Sequence, residues 1–189
     1  MFTNTKRAVV VCLVGVLLNE CLSLIARLLN LPMWLDTTGT IYSSILLGFP
    51  YGFLVGLVNN LFWTIFTDGY NSFAYYIVSL AIAYASSKLA YPSKKITPLT
   101  FLKLFLILSL LGSALSSLTA FIVDNGIPTD YWSRYLMIDF ISFGSNSTIA
   151  CVIGITIIKV IDTLFSLLIV LVALKCTPLK YRDDEFVLK

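Results

Sequence analysis

Seven side chains able to do chemistry sit where an apolar chain has least use for them. Asn19, Glu20, Arg27, Asn59, Asn60, Lys159 and Asp162 all fall inside long hydrophobic runs. Polar and ionisable groups are costly in hydrocarbon, so they persist there where they are paired, buried in protein or set around a cavity. The chemistry open to them is hydrogen bonding and charge recognition. Acid–base or metal work by histidine is excluded, because the chain has none, and neither a G-x-S-x-G elbow nor a phosphate-binding P-loop occurs. Cys12, Cys21, Cys151 and Cys176 lie in or at the ends of apolar runs without a CxxC pair, and read as small core residues. The expectation is a binding protein with no cofactor, no metal and no catalytic residue. An enzyme reading would rest on Glu20, Asp36 or Asp139, whose separation nothing in the sequence fixes.

Each of these residues has a structural reading beside the functional one. Asn59 and Asn60 are adjacent, so on a helix they point about 100° apart: one amide can face a cavity while the other holds a neighbouring helix. Trp63 lies one turn beyond Asn59 on a similar face and can cover a ligand held by the amide. Lys159 and Asp162 are spaced i,i+3, and either neutralise each other or meet a ligand. Arg27 is either a ligand contact or a side chain reaching for the membrane surface. Trp34 and Trp132 suit a membrane-interface aromatic belt as well as a pocket.

The elements that must position these groups are transmembrane helices. Hydrophobic residues make up 58% of the 189 and charged residues 12%, against about 25% charged in soluble domains, and the mean hydropathy is +0.91. Taking about 20 apolar residues per crossing, the sequence predicts a single all-α membrane domain with a bundle of about six helices, near 8–29, 38–47, 50–67, 72–90, 99–123 and 146–174. The second is short, begins behind Asp36 or Thr37 as N-cap and stops at Gly48-Phe49-Pro50. Residues 124–145, with Asp130, Arg134, Asp139 and several aromatics, read as an amphipathic lid loop, and 175–189 as a charged tail. Lys and Arg cluster at the N-terminus, after the fourth helix and in the tail. The positive-inside rule then puts both termini in the cytoplasm, and the connections bearing Asp36, Asp68, Asp124 and Asp130 outside.

Between Leu31 and Asn60 the chain carries Leu31-Pro32, Leu35-Asp36-Thr37, Gly39-Thr40, Leu47-Gly48, Pro50, Gly52, Val55-Gly56 and Asn59-Asn60. In this stretch it resembles the substrate-binding S component of energy-coupling factor (ECF) vitamin transporters. The resemblance implies a multi-pass protein of the cell membrane that captures a vitamin from outside. It also implies two kinds of partner, a membrane T component and a pair of cytoplasmic ATPases, and no nucleic acid. It places the pocket in the outer half of the bundle under the outward loops. Together with the residue reading it gives Trp34, Asp36, Asn59 and Trp63 as substrate contacts, with Tyr75, Arg134, Asn146 and Lys159. Pantothenate stands first as ligand, because Arg27, Arg134 and Lys159 can meet a carboxylate; riboflavin, a pyridoxine-type ring and cobalamin stay open. Docking to the T component falls on small residues of the first three helices, Ala8, Cys12, Gly15, Gly52 and Gly56. A non-transporting membrane sensor is the rival function.

Overall fold

The computed structural model describes residues 5–91, 95–181 and 187–188. Seven α-helices make up most of them: α1 (Thr5–Leu28), α2 (Thr38–Leu47), α3 (Phe49–Trp63), α4 (Tyr76–Ala90), α5 (Pro98–Val123), α6 (Tyr131–Ser142) and α7 (Ser147–Cys176). A π-helical turn, Thr64–Asp68, and a 3-10 stretch, Tyr70–Tyr75, join α3 to α4. Among the described residues, five helical stretches are long and apolar enough to cross a membrane: Thr5–Leu28, Phe49–Phe66, Phe73–Ala90, Pro98–Val123 and Ser147–Cys176.

The short helix α2 explains why the count is five. Its 10 residues rise only about 15 Å, half the hydrocarbon thickness. It packs against α1, α3, α4 and α7, and every one of its residues is buried. A helix enclosed on all sides needs no polar face toward water, and the hydroxyls that α2 carries are small enough to pack between helices. The tightest approach is Gly39 against the backbone of Gly15 on α1, where a single added methyl would overlap the Gly15 carbonyl.

Contacts along α1 fix how deep α2 starts. Asn19, completely buried, donates from Nδ2 to Thr40 Oγ1 at 3.0 Å and accepts the Gly39 amide on Oδ1 at 2.6 Å. At the other end Arg7 Nη2 donates to the Leu46 carbonyl at 3.2 Å. Helix α2 therefore lies antiparallel to the first half of α1, and the second half of α1 faces residues 29–37, which return as non-helical backbone. Of the two expected N-caps, Thr37 occupies the position, though without a side-chain bond; the orphan amide of Gly39 is taken by Asn19 from another helix.

The remaining helices start where local chemistry lets them. Thr97 caps α5 through Oγ1, which accepts the Thr100 amide at 3.2 Å, with Pro98 in the first turn. Asp130 caps α6 by accepting the Ser133 amide at 2.8 Å, and Asn146 caps α7 by accepting that of Thr148 at 2.8 Å. The segment read as a lid loop thus holds a 12-residue helix, α6. It packs on α7 over Gly154, where a Cβ would meet the Ser133 carbonyl. One core runs through Ile41, Ile45, Leu104, Leu108, Leu167 and Leu174. A smaller one, including Met137, Ala150 and Ile155, lies under α6.

The connections sort to two ends of the bundle. Arg7 Nε donates to the Tyr181 carbonyl at 3.0 Å, and Lys95–Ile96 pair in parallel with Val187–Leu188. The start of α1, the α4–α5 connection and the tail therefore share one end. At the other end Trp132 Nε1 donates to the Asn30 carbonyl at 2.9 Å and the Tyr75 hydroxyl to Asp124 Oδ2 at 2.5 Å, which brings the α1–α2, α3–α4 and α5–α6 connections together.

Candidate functional site

Those three connections enclose a cavity of about 540 Å³. Its floor is the backbone of 29–37, which is neither helix nor strand, and Asp162 of α7 takes two of its amides. Its Oδ1 accepts the amides of Trp34 at 2.9 Å and Leu35 at 2.7 Å, while Oδ2 accepts from Lys159 Nζ at 3.3 Å. Leu35 needs this restraint, since at φ 56° it occupies the left-handed region that a branched side chain rarely visits. The Lys159 ammonium then sits 4.2 Å from the centre of the Trp34 ring, a cation–π contact. Its aliphatic stem passes over Gly112 of α5, where the lack of a side chain leaves room.

The walls come from α1, α3 and α4. The Arg27 guanidinium lies 3.9 Å over the Trp63 ring. The two adjacent asparagines divide the work. Asn60 donates from Nδ2 to Ser79 Oγ on α4 and to the Gly56 carbonyl, both at 2.8 Å, and so ties α3 to α4. Asn59, 2% exposed, leaves its Oδ1 buried without a hydrogen-bond partner. The same holds for Oδ1 of Asp36. Buried acceptors left unbonded are rare and call for an explanation, and both residues line the cavity.

The roof is α5–α6. Trp132, fixed by its bond to Asn30, stands edge-on to Tyr131 with ring centroids 5.3 Å apart, and both line the cavity with Asp124 and Asp130. Burial pushes the Asp130 carboxyl above its ordinary range, against the amide and hydroxyl of Ser133 and the charge of Lys159, which pull it down.

Compared with protein-family models, with characterised proteins and with solved structures, the chain matches none. The functional reading therefore rests on this geometry and on the residues themselves.

Of the expected substrate contacts, Trp34, Asp36, Asn59, Trp63, Tyr75 and Lys159 line the cavity. Arg134 and Asn146 are not among the lining residues. Arg134 Nε donates to the Pro128 carbonyl at 3.0 Å, clamping the chain ahead of α6, and Asn146 is an exposed helix cap. The expected docking residues pack inside the chain. Ala8, Gly15, Gly52 and Gly56 are buried within this chain: Gly15 meets α2, a Cβ at Gly52 would strike Ser44, and one at Gly56 would press on Ser79. Cys12 is half-buried and packs against the core. Small size is used here for internal helix contact. Cys151 is a core residue as expected, whereas Cys21 and Cys176 are exposed.

Asp124, Asp130 and Tyr131 line the cavity without having been singled out as ligand contacts. The signal for the two acids was their position in connections at the end away from the lysines. Among the described residues no three His, Cys, Asp or Glu side chains converge as a metal site.

Proposed function

We propose that this chain is the substrate-capturing S component of an ECF-type importer. It would sit in the cell membrane with six crossings and both termini in the cytoplasm, and act with a membrane T component and two ATPases. The observation that carries the proposal is the cavity of about 540 Å³ under three connections, at the end of the bundle opposite the basic segments. Its volume falls in the range of about 300–1,000 Å³ typical of small-molecule sites, enough for a vitamin-sized solute. The sixth crossing is composite: residues 29–37 and α2 together return the chain through the bilayer. Non-helical backbone at that depth is tolerated where it is buried or lines a cavity, and here it lines the cavity. ATP hydrolysis belongs to the partners, and α1 offers them an apolar side through Val9, Leu13 and Leu17, which are exposed.

The test is co-purification. Tagged chain expressed with T component and ATPases of the same host should bring all of them down, and the complex in vesicles should accumulate solute only with ATP. A chain that comes away alone yet holds a ligand would shift the reading to a membrane sensor.

A further inference from the structure

We infer that the cavity selects a small organic cation with N–H donors and a flat ring, in preference to a carboxylic acid. The inference rests on the capture reading above and names its substrate class. Consider first which polar atoms are spoken for. Lys159 is bound to Asp162 and lies over Trp34, and the Arg27 guanidinium is stacked on Trp63. The cations an acid would need therefore each have a contact within the protein already. Three buried polar atoms of the lining make no hydrogen bond: two acceptors, Asp36 Oδ1 and Asn59 Oδ1, and one donor, Nε1 of Trp63, whose ring already carries the Arg27 guanidinium. A molecule that satisfies the two acceptors must bring donors.

Charge points the same way. The lining carries three carboxyl groups, Asp36, Asp124 and Asp130, against two cations, Arg27 and Lys159, and Lys159 is also paired with Asp162. An entering carboxylate adds negative charge beside three carboxyl groups, whereas an ammonium or a protonated heterocycle relieves the excess. Tyr75, Tyr131 and Trp132 supply ring surface on the same chamber, and aromatic faces attract cations through the negative face of their quadrupole. Rings, a buried carboxylate and an unpaired amide oxygen therefore converge on one kind of guest.

The experiment uses the full chain purified in detergent and three probes of one shape. These are 3-(aminomethyl)pyridine, protonated at neutral pH, its neutral alcohol 3-pyridinemethanol, and the carboxylate nicotinate. Binding is followed through the intrinsic tryptophan fluorescence, since Trp34, Trp63 and Trp132 all line the cavity. The amine should bind at least roughly tenfold more tightly than the carboxylate, a difference of about 1.4 kcal/mol, with the alcohol between them. Asp36→Asn should remove most of the preference for the amine over the alcohol and the carboxylate. If that variant does not fold, Asn59→Asp tests the same point from the other wall and should strengthen amine binding. Tighter binding of nicotinate or pantothenate than of the amine, or no response to the amine, overturns the inference. Acid binding would leave the importer reading intact, and failed co-purification would leave the charge preference standing, so the two failures are distinguishable.

Discussion

Asp162 is the residue whose removal tests most of this reasoning at once. It is 1% exposed and holds three donors: two backbone amides of the cavity floor and the Lys159 ammonium. Asp162→Asn keeps an oxygen for the amides but leaves the ammonium buried without its counter-ion, a loss of about 3–5 kcal/mol. At about 2–4 °C per kcal/mol for a chain of this size, the melting temperature should fall on the order of 10 °C. Adding Lys159→Met removes the stranded charge, so the double variant should recover most of that loss. Asp162→Ala in the Lys159→Met background isolates the floor instead, with each orphaned amide costing about 1–3 kcal/mol. It should also open residues 29–37 to proteolysis. The assay is thermal melting in detergent followed by tryptophan fluorescence, with protease cut sites mapped by mass spectrometry. A Lys159→Met/Asp162→Asn protein no more stable than Asp162→Asn, or a floor as protease-resistant in the Ala variant as in the parent, would refute the account.

Three other outcomes follow from the same contacts. Gly39→Ala forces a methyl into the Gly15 backbone and should cost about 1–3 kcal/mol or more, read as a lower melting temperature; an unchanged value would mean that α1 and α2 are not in contact. Asn59→Ala should weaken 3-(aminomethyl)pyridine binding by roughly tenfold, whereas Asn146→Ala should lower stability by about 1 kcal/mol through the lost cap and leave that affinity unchanged. Because burial holds the Asp130 carboxyl above its ordinary range, the folded protein binds that proton more readily than the unfolded chain. Stability should therefore fall as pH rises through the window between the ordinary and the raised value, and Asp130→Asn should flatten the slope there in pH-dependent melting.

Much of the helix layout was legible in the residues, because punctuation there is strong. Asp36-Thr37 and Gly48-Phe49-Pro50 bracket α2, and Gly48 at φ 93° makes the turn into α3. The adjacent asparagines could be read as one wall group and one helix tie, since helical geometry alone separates their directions. Helix α6 was missed because its sequence mixes charges and aromatics at low apolarity, although Asp130 ahead of it is a good cap. Asn146 is a related case: an amide before a long apolar run serves equally as cap or ligand contact, and the structure shows the cap through the bond to Thr148. The glycines on α1 and α3 signalled close helix approach correctly, but spacing does not say whether the neighbour belongs to the same chain. Nor did any local pattern indicate that Asp162 would reach back to Trp34 and Leu35, 128 and 127 residues away in sequence.

That long reach bears on how the protein is made. Ten residues are too few for α2 to partition into lipid as an independent segment, so on the proposed topology it would enter with α3 as a hairpin closed at Gly48. The two amides that Asp162 satisfies must then wait for the last long helix to emerge from the ribosome. Until it arrives the future cavity floor is the least settled part of the nascent chain, and truncation ahead of Asp162 should leave a product that cellular quality control removes.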